Sequence, residues 1–362
     1  MRPTWAEIDL DSLIHNFNVV RGLVDDHVGV LSVVKADAYG HGAVEVGKTL
    51  EEAGTDMLGV ATVEEAVELR DYGIEIPIIL LGGMRPDEAP VVVEHSLTPC
   101  LFSLGAAKSL DAESAKARKR SPYHLKIDTG MTRLGVRPEE ADVLLRGLAE
   151  YKYIVMEGAL THLASAFSES PEATRAQLGR FSKLVSDIRE KGFRPRYIHS
   201  ANSTAVQRFP ESHMDLVRPG IMLYGSDGTS GLGLKPVMKL KTVAIQVSKV
   251  PPGTPVSYGG TFVTKRPSVI ATLPIGYADG YMRRLSNRAK VSIRGQLAPV
   301  AGTVCMDLIT ADVTDIAGVS VGDEVVLFGD NMVSVDDVAR WADTISYEIL
   351  SITGKRVPRR YV

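Results

Sequence analysis

The sequence has few cysteines, no long hydrophobic run and no excess of charge of one sign. Cys100 and Cys305 are too few for a disulfide scaffold, and 362 residues can bury a core without one. No stretch approaches the roughly 18 consecutive apolar residues of a membrane span, so we expect none. The N-terminal segment lacks the apolar core of a signal peptide, which predicts a cytoplasmic protein.

The charge balance and the composition are those of an ordinary globular protein. The 41 lysines and arginines against 44 aspartates and glutamates give a net charge of −3. This balance argues against nucleic acid or an anionic membrane surface as the main partner. Because domains usually span roughly 100–200 residues, the length predicts two domains, and we expect an enzyme.

Short apolar segments alternate with longer amphipathic ones through the first two-thirds of the sequence. The short segments are rich in β-branched residues, as buried parallel strands are. Eight are predicted as strands: Val30–Val34, Met57–Ala61, Ile76–Leu81, Leu97–Phe102, Tyr123–Ile127, Val155–Leu160, Arg196–His199 and Met214–Val217. The alternation predicts an α/β fold with an N-terminal (β/α)8 TIM-type barrel. A doubly wound open sheet produces the same local pattern and is the structural alternative.

Two apolar stripes at helical spacing support the helices of this pattern. The stripes are Leu13, Phe17, Val20 and Val24, and Leu178, Phe181, Val185 and Ile188. Ser170 and Pro171 before the second stripe have the character of an N-cap and a first-turn proline, so we expect that helix to begin there.

The composition changes after Gly225. Residues 226–233 are rich in glycine and serine and predict a linker between a barrel at 1–225 and a mostly β domain at 234–362. The first ten or so residues are candidates to join the β domain. Its predicted strands are Val237–Val247, Val269–Leu273, Lys290–Ile293, Leu308–Val313 and Glu324–Phe328, with one late helix around Val335–Ala342.

Polar residues cluster where the predicted barrel strands end. They are Lys35, Lys126, Asp128, Arg133, His162, His199, Asn202, Ser203, Arg218 and Gly220. In a barrel, the carboxyl ends of the strands meet at one face, where the site is built. Ser203 before a helix, and Gly220 and Ile221 with their backbone amides, suit the phosphate cradle expected after the last two strands.

Each candidate has a structural alternative. A lysine such as Lys35 is often a solvated loop residue, but an amine in a low-dielectric pocket also suits Schiff-base chemistry, and the residues alone do not separate the two. His162 and His199 lack further ligands at metal spacing, so hydrogen-bonded histidines are favoured over a metal pair. Arg133 and Arg218 fit either rim ion pairs or ligand contacts.

Two tyrosines and a cysteine of the C-terminal part are further candidates for a functional or a structural role. Tyr258 and Tyr277 stand in glycine-rich turns, where an exposed phenol suits polar contact or proton donation. Cys305 is interpreted as a packing residue, because no histidine neighbours it in the sequence.

Seven ordered segments and one further tyrosine resemble the alanine racemase family. The segment Val34–Gly42 resembles the pyridoxal-phosphate lysine motif of that family. The others are Lys126–Gly135, Asn202–Ser203, Arg218–Gly225, Val256–Gly259, Pro274–Gly280 and Cys305–Asp307, with Tyr347 near the C-terminus. The match spans almost the whole chain.

The resemblance implies a head-to-tail homodimer that binds pyridoxal 5′-phosphate. Lys35 would hold the cofactor, His162 would flank its ring, and Arg218 would face the pyridine nitrogen. Five further residues would hold the phosphate: Tyr39, Ser203, Gly220, Ile221 and Tyr347. No metal is implied.

The resemblance also implies a two-base racemisation of alanine that supplies D-alanine for peptidoglycan. Lys35 would take the Cα proton from D-alanine, and Tyr258 of the partner subunit would take it from L-alanine. Arg133 and the partner's Met306 amide would orient the substrate carboxylate. Lys126 holds a position that is carbamylated in several members, and Tyr277 would support the site.

The sequence departs from the family at two positions. Phe167 stands where many members have an acidic residue, and Thr303 stands where many have arginine. In relatives these two charges line the access corridor, so their joint loss predicts a less polar corridor. The alternative function is therefore a broad-specificity alanine/serine racemase. A non-enzymatic pyridoxal-phosphate carrier is the other alternative, but such carriers lack the domain that contains Tyr258.

Overall fold

A computed structural model describes residues 3–226 and 231–362. The chain forms two compact units, a barrel unit of residues 16–38 and 43–223, and a β unit of the described parts of 1–15, 39–42 and 224–362. The predicted linker at 226–233 includes residues 227–230, which lie outside the described residues. No helix in the described ranges has the length and apolarity that crossing a membrane requires.

The chain begins with strand β1 (Thr4–Ile8) and helix α1 (Leu10–Gly22). The eight strands of the barrel unit are β2 (Gly29–Val33), β3 (Met57–Val60), β4 (Ile78–Leu80), β5 (Thr98–Leu101), β6 (Ser121–Lys126), β7 (Ile154–Leu160), β8 (Tyr197–His199) and β9 (Leu216–Val217). The other helices of this part of the chain are α2 (Lys35–Gly40), α3 (Ala43–Glu52), α4 (Val63–Asp71), α5 (Ala89–Glu94), α6 (Leu104–Lys116), α7 (Ala141–Leu148), α8 (Glu172–Glu190) and α9 (Ser203–Arg208).

The eight strands are parallel and follow the order β8-β7-β6-β5-β4-β3-β2-β9. The segment around β9 also bonds back to the other end of this order. The Asp215 amide donates to the Ile198 carbonyl at 3.0 Å, and the Arg218 amide donates to the Ala201 carbonyl at 2.9 Å. These bonds close the sheet into a barrel. The predicted (β/α)8 barrel is confirmed, and the open doubly wound sheet is excluded.

Both predicted apolar stripes are buried, as an amphipathic helix against a barrel requires. The predicted start of the second helix is wrong. Helix α8 begins at Glu172 with Pro171 as its N-cap, and the Ser170 hydroxyl donates to the Glu172 side chain rather than capping a backbone amide. A serine hydroxyl that bonds to a nearby carboxylate is not used to cap a backbone amide of the helix.

The β unit contains three sheets. Its further strands are β10 (Met238–Val243), β11 (Gln246–Val250), β12 (Pro255–Val256), β13 (Phe262–Val263), β14 (Ser268–Leu273), β15 (Lys290–Ile293), β16 (Gln296–Pro299), β17 (Ile309–Asp312), β18 (Glu324–Phe328) and β19 (Arg359–Tyr361), and its last helices are α10 (Val335–Ala342) and α11 (Ser346–Ser351). The strand orders are β16-β15-β18-β10-β1-β19, β11-β14-β17 and β12-β13. The predicted strand Val237–Val247 is wrong as one element, because the chain leaves one sheet after β10 and enters another at β11.

Candidate active site

Lys35 begins a backbone segment of unusual conformation, directly after β2. The four residues that follow it, Ala36 to Tyr39, all have φ between +51° and +55°. A left-handed turn of four non-glycine residues is strained, at about 1–2 kcal/mol per residue. Such strain persists only where the surrounding structure over-determines it, and it concentrates at functional sites.

The carboxylate of Glu65 holds this turn in place. One oxygen accepts a hydrogen bond from the Ala36 amide at 2.7 Å, and the other accepts one from the Ala61 amide at 2.7 Å. Glu65 therefore ties the loop after β2 to the loop after β3. The Asp37 carboxylate adds a bond from the Ala43 amide at 2.8 Å. Glu65 has no local sequence signal of this role, because only the fold brings it beside Lys35.

Asp128 organises the loop that carries Arg133. Its carboxylate accepts hydrogen bonds from four successive backbone amides: Gly130, Met131, Thr132 and Arg133, at 2.9 to 3.2 Å. Partial burial raises the pKa of Asp128, but these bonds outweigh it and hold the pKa below its usual value. The loop is therefore built around a charged carboxylate.

Five positively charged or basic side chains lie within electrostatic reach of one another at the carboxyl ends of the strands. Burial lowers the pKa of Lys35, and the charge of Arg133 lowers it further, while Glu65 raises it. Burial also lowers the pKa of Lys126, with Arg218 and Arg133 adding to the effect. For His162, burial and the four surrounding cations lower the pKa to about 3, so this imidazole is neutral at pH 7. A cluster of this kind favours an anionic ligand.

Arg218 is fully buried and reaches three acceptors. Its guanidinium donates to His199 Nδ1 at 2.9 Å, to the Thr161 carbonyl at 2.7 Å and to the Ser200 carbonyl at 3.0 Å. Burial lowers the pKa of Arg218 to about 10, which leaves it cationic at neutral pH. Neither Arg218 nor Arg133 forms an ion pair with a carboxylate in the described part of the chain, which leaves the ligand-contact interpretation of both in place.

The segment after β9 lies against the start of α9, as the predicted phosphate cradle requires. The Ser203 hydroxyl accepts hydrogen bonds from the Gly220 amide at 2.8 Å and the Met222 amide at 3.4 Å. The Asn202 side chain caps α9 by accepting from the Ala205 amide at 3.1 Å. Ile221 is buried beside them. The hydroxyl proton of Ser203 is left to donate to an anion.

The β unit places two of the predicted phosphate-contacting tyrosines together. The ring centroids of Tyr39 and Tyr347 lie 5.9 Å apart, and those of Tyr39 and Tyr224 lie 4.8 Å apart. Burial raises the pKa of Tyr39, and Tyr347 adds to the rise, so the Tyr39 phenol stays protonated and can donate a hydrogen bond. Tyr347 is partly exposed.

Tyr258 projects from a turn that two neighbouring side chains hold. Tyr258 is 73% exposed. The Thr303 hydroxyl donates to the Tyr258 carbonyl at 2.9 Å, and the Ser257 hydroxyl donates to the Thr303 carbonyl at 2.6 Å. Ser257 itself has φ +61°, a strained value for serine. Gly302 is required here, because a Cβ would approach the Ser257 Cβ to 2.7 Å.

A second pair of turns lies in the same unit. The amide of Tyr277 donates to the Cys305 carbonyl at 3.0 Å, and the amide of Ala278 donates to the Met306 carbonyl at 3.1 Å. Gly276 is required between them, because a Cβ would lie 2.3 Å from both carbonyl oxygens. Tyr277 and Met306 are exposed, and the Met306 amide has no acceptor among the described residues. The segments Val256–Gly259, Pro274–Gly280 and Cys305–Asp307 thus meet through Thr303 and Cys305.

The residues present fit pyridoxal phosphate. The partly buried Lys35 amine, with its lowered pKa, suits covalent attachment to the aldehyde of the cofactor, and the cationic cluster suits its phosphate and a substrate carboxylate. Among residues 3–226 and 231–362, no group of three metal-ligating side chains comes together. His199 contacts His124 and Arg218, which agrees with the favoured interpretation of a hydrogen-bonded histidine.

Comparison with family models agrees with this arrangement. Residues 8–228 match the N-terminal domain of alanine racemase, and residues 237–361 match its C-terminal domain. Together the two matches cover nearly the whole chain.

Individual relatives and a solved structure are also alanine racemases. An alanine racemase of Halothermothrix orenii is 46% identical over 99% of this chain and 97% of its own length, and one of Geobacter sulfurreducens is 44% identical over 100% and 97%. The solved structure of a Clostridium difficile alanine racemase superposes with a TM-score of 0.95 at 38% identity, covering 100% of this chain and 96% of that one. This chain therefore belongs to the alanine racemase family.

Proposed function

We propose that this protein interconverts L-alanine and D-alanine by a two-base mechanism with pyridoxal phosphate bound at Lys35. Alanine racemases are isomerases that depend on this cofactor. The observation that carries the proposal for this chain is the partly buried Lys35 amine, of lowered pKa, inside a cluster of cations at the carboxyl ends of the barrel strands. The cofactor, when bound, supplies the electron withdrawal that makes the Cα proton of alanine removable.

The barrel residues divide the work of binding and proton transfer. Lys35 would hold the cofactor, and its Nζ would take or return the Cα proton on one face of the substrate. Arg133 binds the substrate carboxylate, and the backbone bonds to Asp128 fix the loop from which it reaches. Neutral His162 would flank the ring without adding charge. Arg218, a permanent donor, would face the pyridine nitrogen.

The phosphate end is held by hydrogen-bond donors. Ser203, Gly220, Ile221 and the phenols of Tyr39 and Tyr347 would bind it. Burial keeps Tyr39 protonated, which matches a donor role.

The opposite face of Cα is served by Tyr258 of the partner subunit in a head-to-tail homodimer. The exposure of Tyr258 on a turn held by Thr303 supports a phenol presented outward. The partner's Met306 amide completes the binding of the carboxylate, and Tyr277 supports the same site. The linker at 226–233, a cytoplasmic location and a role in supplying D-alanine for peptidoglycan stay predictions.

A circular-dichroism assay of purified, cofactor-loaded protein tests this function. We expect L-alanine and D-alanine to approach the same racemic end point, and Lys35→Ala to abolish the reaction. An unchanged signal from both enantiomers over a time course in which the loaded protein stays folded would contradict the proposal and favour the carrier alternative.

A broad-specificity racemase is the second candidate. It is favoured by the 77% exposed Phe167 and by Thr303, neither of which supplies a charge to the access corridor. The ratio of kcat/KM for alanine to that for serine decides between them. Strong exclusion of serine would show that the loss of two charges leaves the specificity narrow.

A further inference from the structure

A line of polar side chains leads from Arg218 across the barrel interior. The Arg218 guanidinium contacts His199 Nδ1 at 2.9 Å, and His199 Nε2 contacts His124 Nδ1 at 2.8 Å. His124 Nε2 has no hydrogen-bond partner among the described residues, and it lies 3.5 Å from a carboxylate oxygen of Glu157. The four residues come from β6, β7, β8 and the segment after β9, which are consecutive around the barrel. Both histidines are fully buried, whereas the Glu157 side chain is 29% exposed.

The hydrogen bonds in this line run in one direction. A guanidinium can only donate, so His199 accepts at Nδ1 and, as a neutral ring, carries its proton at Nε2. That proton is donated to His124 Nδ1, so His124 carries its own proton at Nε2, which faces Glu157. Burial lowers the pKa of both histidines, which keeps them neutral at pH 7. The line thus has a cation at one end and a carboxylate at the other.

The local geometry of strands β6 and β7 directs the Glu157 side chain toward His124. In the pairing of β6 with β7, Tyr123 lies opposite Met156 and His124 lies opposite Gly158, so Glu157 is the extra residue of a β-bulge. Bulges redirect side chains and are frequent next to active sites. Gly158 makes room for the imidazole, because a Cβ there would approach the His124 ring to 2.7 Å.

We propose that Glu157 is the remote counter-charge of Arg218, coupled to it through His124 and His199, and that it positions the guanidinium in the site. Burying a cation without a partner is costly, and hydrogen bonds that polarise one another extend the influence of a charge. Within the described residues, the contacts that run from Arg218 through His199 and His124 end at the carboxylate of Glu157. Glu157 is therefore a positioning residue, and its kinetic effect rests on the proposed racemase function.

Nuclear magnetic resonance of the cofactor-loaded protein with ¹⁵N-labelled histidine tests the coupling directly. The chain has eight histidines, so His124→Asn and His199→Asn assign the two ring signals. Glu157→Gln removes the charge but keeps a polar oxygen facing His124, and Glu157→Leu removes both. Glu139→Gln, at an exposed carboxylate, is the matched control for loss of a charge.

We expect both rings to be protonated at Nε2 in the wild type. Glu157→Gln should shift the ring ¹⁵N signals of His124 and also those of His199, and should lower kcat about tenfold with KM unchanged, as when a carboxylate that orients a functional histidine is lost. Glu157→Leu should lower kcat further, and Glu139→Gln should change neither measurement. If Glu157→Leu does not fold, Glu157→Gln alone decides.

Three results would overturn the proposal. A proton on His199 Nδ1 in the wild type would show that the hydrogen bonds do not run from Arg218 toward His124. If the His199 signals do not change in Glu157→Gln, Glu157 is not coupled to Arg218. If they shift but kcat is unchanged, Glu157 does not position the guanidinium for the reaction. A wild-type protein that does not racemise alanine would defeat the proposed function instead, while the signals of His199 would still decide the coupling.

Discussion

The hydroxyl of Thr303 donates a hydrogen bond to the backbone carbonyl of Tyr258 at 2.9 Å. Thr303 is itself buried, and its carbonyl accepts from the Ser257 hydroxyl. Thr303 therefore fixes the turn that presents the proposed second base. The position at which we expect a corridor charge to be missing thus supplies a hydroxyl that holds this turn.

Removal of this hydroxyl should slow one half-reaction more than the other. We expect Thr303→Val to reduce Cα proton exchange from L-alanine roughly threefold to tenfold, the effect of losing one hydrogen bond of about 0.5–1.5 kcal/mol, with less effect on D-alanine. Thr303→Ser keeps the donor and should retain exchange near the wild-type rate. If serine proves as harmful as valine, the hydroxyl does not hold the turn.

Replacing the residue proposed to face the pyridine nitrogen should change the products. Arginine cannot accept the ring-nitrogen proton, whereas a carboxylate keeps that nitrogen protonated and makes the ring a stronger electron sink. Arg218→Glu should therefore raise the fraction of turnovers that end in pyruvate by transamination. Pyruvate can be measured with a coupled dehydrogenase assay, and the same pyruvate fraction as in the wild type would contradict this placement of Arg218.

The lowered pKa of Lys126 favours reaction with carbon dioxide. Only a neutral amine forms a carbamate, and burial together with neighbouring cations shifts Lys126 toward the neutral form at lower pH than an exposed lysine. The resulting anion would orient Arg133. We expect a carbamate signal in ¹³C spectra with labelled bicarbonate that disappears in Lys126→Ala and persists in Lys108→Ala. A high-resolution density map showing an unmodified Lys126 would contradict it.

Mixed dimers should reveal whether the active sites are shared between subunits. Lys35→Ala and Tyr258→Phe protomers are each defective, but a mixed dimer contains one site with both wild-type residues. Reassembled equal mixtures should recover about one quarter of wild-type activity, because half of the dimers are mixed and each has one intact site of two. If mixtures that are shown to contain mixed dimers recover no activity, Lys35 and Tyr258 of the same chain act in the same site.

The barrel was predictable from the sequence because its strands are marked locally. All eight predicted segments overlap the observed strands, and no observed strand extends more than two residues beyond its predicted segment, since buried parallel strands need continuous apolar runs. Strand β19 was missed because its sequence, Arg359–Tyr361, is polar and pairs with β1 from the other end of the chain. No local pattern marks such an edge pairing.

The candidate site was predictable where strand ends carried polar residues, and not where tertiary contacts decide. Lys35, Arg133, His162 and Arg218 follow strands and come together as expected. The left-handed turn after Lys35 contains three non-glycine residues before Tyr39 that give no sign of positive φ, because the contacts of Glu65 and Asp37 impose it. The bulge at Glu157 and the support of Tyr258 by Thr303 likewise depend on partners distant in sequence.

Proton exchange in D2O tests whether Lys35 and Tyr258 act on opposite faces of Cα. The rate at which Cα deuterium enters L-alanine and D-alanine is measured separately at early times for the wild type, Tyr258→Phe and the exposed-tyrosine control Tyr72→Phe. Loss of a positioned general base predicts a fall of about 100-fold or more from L-alanine in Tyr258→Phe, with exchange from D-alanine largely kept. Equal losses from both enantiomers would contradict the assignment of the two bases.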